Sequence, residues 1–567
     1  MRKVSAFITL LTAVSMVYFG STHLSTATGQ VKKAVPERWK TGFDSIRPEE
    51  SYALLEFIAS DELEGRDTPS KGQTIARKYI MSLYKVWGIK PAGDQQGANR
   101  RFEQRIDMVE KEFGPEMRID VKTANGNFSF YFGEDFAGNM GADVPGVIEA
   151  PAVFAGYGLS ASDLGYDDFA GIDVRNKVVV ISTGKPGGGR KDSPFNRPEN
   201  LARFAGRRTP AENCARLLAE KGAAALLLVD ESFGRVSNAG GYLRDSRIRS
   251  DSRKVTALKL STVDRMVPFF WVSSSVADQI FSASDKSLPT AKGEIDSSLK
   301  PSSFDITGVQ VKINLDIKRT NTVSANLLGK IEGSDPELKE EVVVIGAHLD
   351  HIGMTKEGYV FNGADDNGSG SVGVMQVAKA FALNPEKPKR TILFAHWTGE
   401  EKGLLGSSHF VHFPTVPFAN IVACINLDMI CTNTPLRNLK RRIDEYAITL
   451  EELERFEDDP ETLLAAITSL PSPDMKEHYE QLSRDYLDLQ PVPLCSDPMP
   501  GNSDHWPFSR QKVPSVFFIA MGEGFAHQPD DTVEKINADK MSEIVKLAYL
   551  MAFKIADAQE RPAWLSK

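Results

Sequence analysis

Five short motifs in the chain carry residue types that bind metal ions and move protons. They are His348-Leu349-Asp350, Gly363-Ala364-Asp365-Asp366-Asn367, Gly399-Glu400-Glu401, Asn426-Leu427-Asp428, and His527 with the apolar run before it. A single Asp after a predicted strand is usually a turn residue or a helix cap. The five motifs together indicate a chemical site, because each one follows a predicted strand end.

The motifs supply two imidazoles and three carboxylates: His348, Asp365, Glu401, Asp428 and His527. These nitrogen and oxygen donors suit a pair of divalent cations such as Zn²⁺, and one carboxylate can bridge both ions. Manganese and cobalt accept the same ligands. Two ions about 3.5 to 4 Å apart activate a bridging water and polarise the bond to be cleaved. The set predicts a hydrolase with two metal ions, and its lack of Cys argues against a structural zinc site.

A hydrolase of this kind also needs a group that takes a proton from the water and returns it to the leaving amine. Glu400 is adjacent to the predicted ligand Glu401 and is our candidate for this general base. The alternative is that both Glu residues only begin a helix near 402, where negative charge is favourable. The neighbouring metal ligands favour the catalytic role.

Two Asp residues have the spacing of groups that orient an imidazole. Asp350 comes two residues after His348, and Asp531 comes four residues after His527. A carboxylate that accepts the second N–H of a ligand imidazole fixes its tautomer. We expect Asp350 to have this role, and Asp531 is a candidate for it.

The elements that must bring these motifs together alternate between strand and helix from about residue 322 to the end. The predicted strands cover 341–349, 390–398, 419–429 and 514–521, and the predicted helices cover 369–383, 402–412 and 537–557. This alternation is typical of a mostly parallel sheet with helices on both faces. Ligands of such α/β folds bind outside the carboxyl ends of the strands.

Other parts of the chain have different patterns. Residues 47–90 have apolar residues at helical spacing on both sides of a turn-rich connection at 60–72. From about 148, the order strand, loop, strand, polar loop, helix, strand predicts a smaller β-rich domain. Residues 437–490 are rich in Glu, Lys and Leu, and this composition predicts an inserted helical subdomain.

Six segments of the chain match a known family in order and in content. They are GAHLDH, NGADDNGSG, TGEEKGLLGS, INLDMI, SDHWPF and HQPDDT. This series resembles the co-catalytic two-zinc exopeptidases, a family that includes secreted bacterial leucyl aminopeptidases and glutamate carboxypeptidase. The resemblance implies that His348 and Asp428 bind one zinc, that Glu401 and His527 bind the other, and that Asp365 bridges them.

The same resemblance implies further features of the site and of the domains. Glu400 is expected to be the base, and the Asp365–Asp366 peptide is expected to be cis. Residues 148–309 resemble a protease-associated domain in the runs FAGYG, YDDFAGIDVRNKVVVI and CARLLAEKGAAALLLV. The zinc exopeptidase domain is then discontinuous and covers 40–147 and 310–567.

The N-terminus is typical of an export signal. Arg2 and Lys3 precede an apolar run that ends near Gly20, which predicts a signal peptide over 1–27 and a periplasmic or extracellular protein. A retained anchor is the alternative, but the run is short for a bilayer-spanning helix of about 20 residues. Contact with a membrane is therefore expected only during export.

Length and composition exclude several classes of protein. A chain of 567 residues is too long for one hydrophobic core, so two or more domains are expected. The formal net charge is -9, and no cluster of basic residues in the sequence is dense enough to bind along a phosphate backbone. Nucleic acid is therefore not an expected partner. Four Cys are too few for a disulfide scaffold, although a bridge such as Cys431 to Cys495 stays open.

The sequence predicts a zinc-dependent aminopeptidase that hydrolyses N-terminal residues from peptides. A zinc carboxypeptidase or dipeptidase uses the same metals, but one that acts on acidic residues needs Arg clusters, and the motifs contain none. A glutaminyl cyclase of this fold is another alternative, but such cyclases resemble one-zinc sites, whereas this chain has all five ligands. A non-catalytic binding protein, like the transferrin receptor, is a further alternative, but such relatives lack metal ligands. The sequence does not predict the oligomeric state.

Overall fold

The computed structural model describes residues 32–138, 146–197, 200, 208–231, 254–258, 266–355, 358–522 and 524–565. The predicted signal peptide, residues 1–27, lies outside the described residues. Within them, none of the helices combines the length and the apolar composition that crossing a bilayer requires. The cysteines Cys214, Cys424, Cys431 and Cys495 are all free, so the bridge left open above is not formed.

The helices alternate with strands through most of the chain. They are α1 (Glu37–Asp44), α2 (Pro48–Ile58), α3 (Lys71–Val86), α4 (Arg208–Glu220), α5 (Ser274–Phe281), α6 (Leu288–Ser298), α7 (Gly370–Leu383), α8 (Leu405–His412), α9 (Leu436–Lys440), α10 (Leu450–Leu453), α11 (Pro473–Tyr486), α12 (His505–Arg510) and α13 (Ala538–Asp557). A 3-10 helix, Asp61–Arg66, lies between α2 and α3.

The strands form two large sheets and two small hairpins. They are β1 (Lys90–Pro91), β2 (Gln95–Gln96), β3 (Asn99–Arg100), β4 (Glu103–Phe113), β5 (Arg118–Thr123), β6 (Gly126–Tyr131), β7 (Phe136–Ala137), β8 (Gly146–Phe154), β9 (Ser160–Ala161), β10 (Tyr166–Asp167), β11 (Val178–Ser182), β12 (Ala225–Val229), β13 (Lys254–Leu258), β14 (Phe269–Val272), β15 (Phe304–Leu315), β16 (Ile317–Ile331), β17 (Val342–His348), β18 (Thr391–Trp397), β19 (Ile421–Leu427), β20 (Leu463–Ser469), β21 (Gln490–Ser496) and β22 (Ser515–Ile519).

The first sheet has the order β13-β4-β16-β18-β17-β19-β22-β20-β21, and β1 pairs with β16. Its four central strands, β18, β17, β19 and β22, are parallel. The strands on both sides of this centre join it in antiparallel orientation. The predicted mostly parallel central sheet is confirmed, and the carboxyl ends of its central strands lie along one edge.

Both faces of the first sheet are covered by helices. Successive side chains of a strand point to opposite faces, and in the central strands the side chains on both faces are apolar. In β17, Val343 and Ile345 pack against α7 and α13 in one core cluster, which also includes α2 and α3. Val342 and Val344 point to the other face and pack with Phe410 of α8. A strand buried on both faces reads as a continuous apolar run, which is why β17 could be predicted from the sequence.

The second sheet has the order β6-β5-β15-β8-β11-β12-β14-β7. Its strands β8, β11, β12 and β14 are parallel, and helices α5 and α6 pack on one face. The strand and helix order predicted after 148 is present. The sheet also includes β5 to β7, which precede the predicted domain boundary, whereas β13 pairs with β4 of the first sheet.

The predicted helical subdomain at 437–490 has a different structure. The segment contains β20, which joins β22 in the first sheet, and it ends at the start of β21. The run LLAAITS in β20 is fully buried. Leu and Ala also favour helices, so composition alone did not distinguish this buried strand from a helix.

Candidate metal centre

The predicted site residues lie at the carboxyl ends of the four central strands. His348 is the last residue of β17, and Asp428 directly follows β19. Glu400 and Glu401 lie in the turn after β18, and His527 lies in the loop after β22. The strand order therefore brings together side chains from distant parts of the sequence, as expected for an α/β fold.

One cluster consists of His348, Glu400 and Asp428, and we call it the His348 group. The His348 Nε2 atom lies 3.3 Å from Asp428 Oδ1 and 3.9 Å from Glu400 Oε2. The His348 Nδ1–H donates to the backbone carbonyl of Asp350 at 3.0 Å. This hydrogen bond leaves the lone pair of Nε2 directed at the two carboxylates, which is the tautomer that a metal ligand requires.

A second cluster consists of His351, Asp366, Glu401 and His527, and we call it the His527 group. The His527 Nε2 atom lies 2.9 Å from Glu401 Oε1 and 3.2 Å from Asp366 Oδ2. The His351 Nδ1 atom lies 3.1 Å from Glu401 Oε1. In each group, the potential ligand atoms all lie within 4.8 Å of one another.

The Asp366 carboxylate lies between the two groups. Its Oδ1 atom is 3.5 Å from His348 Nε2, and its Oδ2 atom is 3.2 Å from His527 Nε2. One oxygen therefore faces each imidazole. This is the arrangement that a carboxylate shared by two cations needs.

The expectation that Asp365 bridges the two groups is corrected by the geometry. The Asp365 carboxylate instead accepts hydrogen bonds from the Cys431 N–H at 3.0 Å, the Cys431 thiol at 3.1 Å and the Thr432 hydroxyl at 2.9 Å. The cis peptide is Asp366–Asn367 and not Asp365–Asp366. Adjacent residues of the chain point in different directions, so the sequence alone does not show which member of the acidic pair faces the imidazoles.

The turn before this acidic pair requires glycine. Gly363 has a φ of 61°, and a Cβ atom there would lie 2.2 Å from the Asp366 carbonyl oxygen and 2.5 Å from His351 Cγ. Only glycine adopts this conformation without strain in such close packing. The Gly-Ala-Asp-Asp motif is therefore a tight turn that aims Asp366 at the cluster.

Asp350 and Asp531 support the site through backbone N–H groups and not through the imidazoles. The Asp350 carboxylate accepts from the N–H of Glu400 at 3.1 Å and from that of Glu401 at 3.3 Å. Its Oδ1 atom lies 4.0 Å from His348 Nδ1, too far for the predicted hydrogen bond. Asp531 accepts from the N–H of Asp365 at 2.7 Å and of Asp366 at 3.0 Å. Each carboxylate thus fixes the backbone of a loop in the site.

Asp428 is held from the side by a short hydrogen-bond chain. The Ser503 hydroxyl donates to Asp428 Oδ2 at 2.6 Å, and the Asn426 amide donates to Ser503 at 2.8 Å. The other oxygen, Oδ1, is buried without a hydrogen-bond partner among the described residues and faces His348. Ser503 belongs to the SDHWPF segment, one of the six segments that match the known family in order. That match is the sequence signal that could have indicated this contact.

The electrostatics of the two adjacent Glu residues differ. Burial raises the pKa of Glu400 well above its ordinary value, although His348 opposes this, and Glu401 and Asp504 add to it. Burial also acts on Glu401, but His527 and His351 outweigh it and hold the Glu401 pKa well below its usual range. The surroundings therefore favour the carboxylate form of Glu401, whereas they favour proton uptake by Glu400.

His351 is a member of the site that sequence reasoning missed. The predicted site residues do not include it, but it is fully buried and contacts Glu401. Its ring centroid lies 5.6 Å from that of His527. The signal was its position, since it follows Asp350 at the same strand end as His348.

The donor set fits two divalent cations. Buried carboxylates crowd together in both groups, which is costly unless cations offset their charge. The His348 tautomer and the unpartnered Asp428 Oδ1 atom both direct lone pairs into the cluster. Imidazole nitrogens and carboxylate oxygens are ligands that Zn²⁺ accepts.

Comparison with known proteins gives the same picture. Residues 326–552 match the model of peptidase family M28. The chain is 28% identical over 233 residues to a probable leucine aminopeptidase of Arthroderma benhamiae. The aligned region covers 39% of this chain and 56% of that protein. It is 25% identical over 255 residues to aminopeptidase YwaD of Bacillus subtilis, which covers 44% of this chain and 48% of that protein. The chain thus spans about half the length of these curated relatives.

One solved structure is similar in fold over nearly the whole length of this chain. The aminopeptidase from Aneurinibacillus sp. strain AM-1 has a TM-score of 0.51 and 16% sequence identity. The match covers 93% of this chain and 97% of that chain. The resemblance to zinc exopeptidases and the predicted α/β fold are both confirmed, and residues 326–552, which match the model of peptidase family M28, hold both ligand groups.

Proposed function

We propose that this protein is a zinc-dependent exopeptidase that removes N-terminal residues from peptides. The observation that carries the proposal is the Asp366 carboxylate, with one oxygen toward His348 and the other toward His527. A carboxylate placed in this way suits two cations at the short separation that hydrolytic two-metal sites use. The names of the curated relatives, which include leucine aminopeptidases, support the same activity.

The proposed ligands follow from the two groups. His348 and Asp428 hold one zinc ion, Glu401 and His527 hold the other, and Asp366 replaces Asp365 as the bridge. When bound, two zinc ions at this site would activate a water molecule and polarise the carbonyl of the bond to be cleaved. The hydrogen bonds from Asp350 and Ser503 keep the ligand loops in position.

Glu400 is the proposed general base. Burial raises its pKa, so its carboxylate accepts a proton from the attacking water more readily than an exposed Glu does. The same group then returns that proton to the leaving amine. Glu400 Oε2 lies 3.9 Å from His348 Nε2, which puts the base at the rim of the His348 group and beside the proposed metal pair.

Charge favours the amino terminus of the substrate. Each of the two groups contains two carboxylates, and Asp350 and Asp531 lie next to them. Arg66, a buried cation beside these acids, donates to backbone carbonyls and is not available to a substrate carboxylate. An acidic site attracts a free ammonium group, whereas a carboxypeptidase needs cations for the terminal carboxylate.

The assignment of the remaining chain belongs to the same proposal. The second sheet is a protease-associated domain, and the chain is exported by a signal peptide over residues 1–27. Peptides are the substrates, and both ions are zinc.

A substrate panel tests the proposed function. Peptides with a free N-terminus, with an acetylated N-terminus and with an amidated C-terminus are offered to the protein, and the zinc content of the same samples is measured. We expect two zinc ions per chain, cleavage of the free and C-amidated peptides, and no cleavage of the acetylated ones. Chelation should abolish turnover without unfolding, and added zinc should restore it.

Two results would contradict the proposal. Release of C-terminal residues from acetylated peptides would make the protein a carboxypeptidase. Absence of both zinc and turnover would favour a binding protein. Glu400→Gln is the matched control, because it should retain zinc while losing turnover.

A further inference from the structure

Arg66 is a buried cation in the turn-rich DELEGRDTPSKG segment, and the proposed function gives it no role. Its side chain has no exposed surface. The Nε atom donates to the Leu349 carbonyl at 2.9 Å, and Nη2 donates to the Gly363 carbonyl at 2.9 Å. Nη1 donates to the Asn362 carbonyl at 2.7 Å and to the Ile58 carbonyl. The guanidinium group thus joins four points of the backbone.

Two of these acceptors belong to the segments that carry the proposed zinc ligands. Leu349 directly follows His348, and Gly363 begins the turn that ends at Asp366. Residues 350–362 connect the two segments along the chain. We call them the hairpin connection, because Met354 and Val360 pair in antiparallel orientation. One planar side chain therefore links the backbone next to His348 to the backbone next to Asp366, and the Ser371 hydroxyl, which donates to the His348 carbonyl at 2.8 Å, adds a second link.

The backbone around Arg66 is shaped for this contact. Glu64, Gly65 and Arg66 have φ values of 51°, 65° and 49°, a left-handed turn that directs Arg66 inward. A Cβ atom at Gly65 would lie 2.2 Å from the Gly353 carbonyl oxygen, so this turn packs directly on the hairpin connection. The Gly353 N–H also donates to the Gly65 carbonyl at 3.1 Å. Backbone in this conformation is costly for non-glycine residues, and the surrounding contacts must hold it.

Arg66 is suited to this position by charge and by shape. Burial lowers its pKa to about 10, while Asp531, Asp350 and Asp366 oppose the shift, so the group stays protonated at neutral pH. Its charge offsets part of the excess of carboxylates in the site. A guanidinium group has five N–H donors in a rigid plane, whereas a Lys ammonium is a compact point charge that cannot reach four carbonyls at once.

We propose that Arg66 is a positioning residue that holds the His348 and Asp366 segments at ligand spacing before zinc binds. This inference rests on the proposed function for the identity of the metal ion and for the choice of His348 and Asp366 as ligands. The ligand atoms then need little reordering when the ions arrive, and zinc affinity depends on Arg66 although Arg66 touches no zinc. Partners of this kind typically contribute a factor of about 10 to 100 to metal affinity.

The test compares Arg66→Lys with a matched substitution at Arg390. Arg390 is also fully buried, and it donates to the carbonyls of Ile555, Ala558 and Gln559. It precedes β18 and therefore lies at the amino ends of the parallel strands, away from the ligand groups. Loss of either guanidinium group should lower stability, but only the loss of Arg66 should weaken zinc binding.

Competition with a chelator measures the zinc dissociation constant of each variant. We expect Arg66→Lys to bind zinc about 10- to 100-fold more weakly than the unmodified chain. We expect Arg390→Lys to bind it as tightly as the unmodified chain does. Saturating zinc should restore the kcat of Arg66→Lys, since the catalytic groups are intact. Unchanged zinc affinity in Arg66→Lys, or an equal loss in both variants, would overturn the proposal.

A second measurement uses the unmodified chain and does not depend on whether a variant folds. Hydrogen exchange is followed in peptides that cover 349–351 and 363–369, with zinc and after its removal by chelation. The proposal predicts that these amides stay protected without zinc. Exchange as fast as that of an open loop would overturn it. Failure of the unmodified chain to bind zinc would instead refute the proposed function, while exchange in the zinc-free chain would still show whether the two segments are ordered as the proposal requires.

Discussion

Both sheets of this protein bury carboxylates near the ends of parallel strands, but the two sheets satisfy them in different ways. In the second sheet, Asp168 is fully buried beside the loop that follows β8. It accepts hydrogen bonds from the Tyr166 hydroxyl at 2.7 Å and from the N–H groups of Tyr157 and Leu159 at 3.0 Å each. Three protein donors thus surround one carboxylate, and no ion is needed.

In the first sheet, the proposed ligands face other acids and imidazoles. Asp428 has one oxygen without a hydrogen-bond partner among the described residues, and the oxygens of Asp366 face His348 and His527. Asp365 resembles Asp168, because its carboxylate accepts from three protein donors. The number of protein donors around a buried carboxylate therefore separates a structural acid from a candidate ligand, even between neighbours in sequence.

The largest expected difference in zinc content and activity is between two variants, in which either Asp366 or Asp365 is replaced by Asn. Asp366→Asn removes the charge that both proposed ions share, so we expect loss of bound zinc and a fall of activity to background. Asp365→Asn should retain zinc, because that carboxylate is turned toward Cys431 and Thr432. Metal analysis and peptide turnover check both variants. Zinc loss in Asp365→Asn with retention in Asp366→Asn would reverse the comparison.

A smaller effect is expected from Glu400→Gln. This change removes the proposed base but preserves its size, so kcat should fall by about 10² to 10⁴. The zinc content and the melting temperature should stay close to those of the unmodified chain. Turnover measured at saturating peptide provides the test, and activity within a few-fold of the unmodified chain would remove Glu400 from this role.

The smallest effect is expected in the second sheet and does not involve activity. Burial raises the pKa of Asp168 to about 6 from an ordinary value of 3.8. The folded state therefore binds a proton more tightly than the unfolded chain. The stability that this group contributes is fully present below about pH 4 and is lost as the pH rises through about 6. Asp168→Asn should remove this part of the pH dependence, about 2 to 3 kcal/mol.

Hydrogen exchange in residues 146–154 at several pH values measures this local stability. Asp173→Asn is the control, because Asp173 is exposed and a hydrogen bond from Arg175 lowers its pKa to about 2. Its titration lies below the window from pH 4 to 6. Peptide turnover should be unchanged in both variants, and an unchanged pH dependence in Asp168→Asn would contradict the account of Asp168.

The sequence predicted the central strands and most of the site because their signals are local. The apolar runs of β17, β18, β19 and β22 are buried on both faces, and an acidic or imidazole motif follows each one. The parallel arrangement then brings the motifs to one edge of the sheet. Four of the five proposed ligands could be found in this way.

The parts that could not be predicted depend on side-chain direction and on long-range pairing. Asp365 and Asp366 are identical in type, and only the turn at Gly363 decides which of them faces the imidazoles. The burial of His351 depends on packing against Gly363, which lies beyond the hairpin connection. The strand β20 pairs with β22 across two intervening helices, α11 and α12, and the strand β21, and its local composition gives no signal for this contact.

The connection between the two sheets has a consequence for how such chains gain and lose parts. Phe113 at the end of β4 pairs with Ile317 at the start of β16, and the Gly114 N–H donates to the Asp316 carbonyl at 2.8 Å. Apart from β13, which returns to pair with β4, the chain leaves and re-enters the first sheet at this point, so the second sheet stands where an antiparallel hairpin would have its turn. A shorter chain would need only a tight turn to close this hairpin. The loss of β13 would also expose the edge of β4 to pairing between molecules, which the charged residues already present in this strand, EQRIDMVEKEF, would oppose.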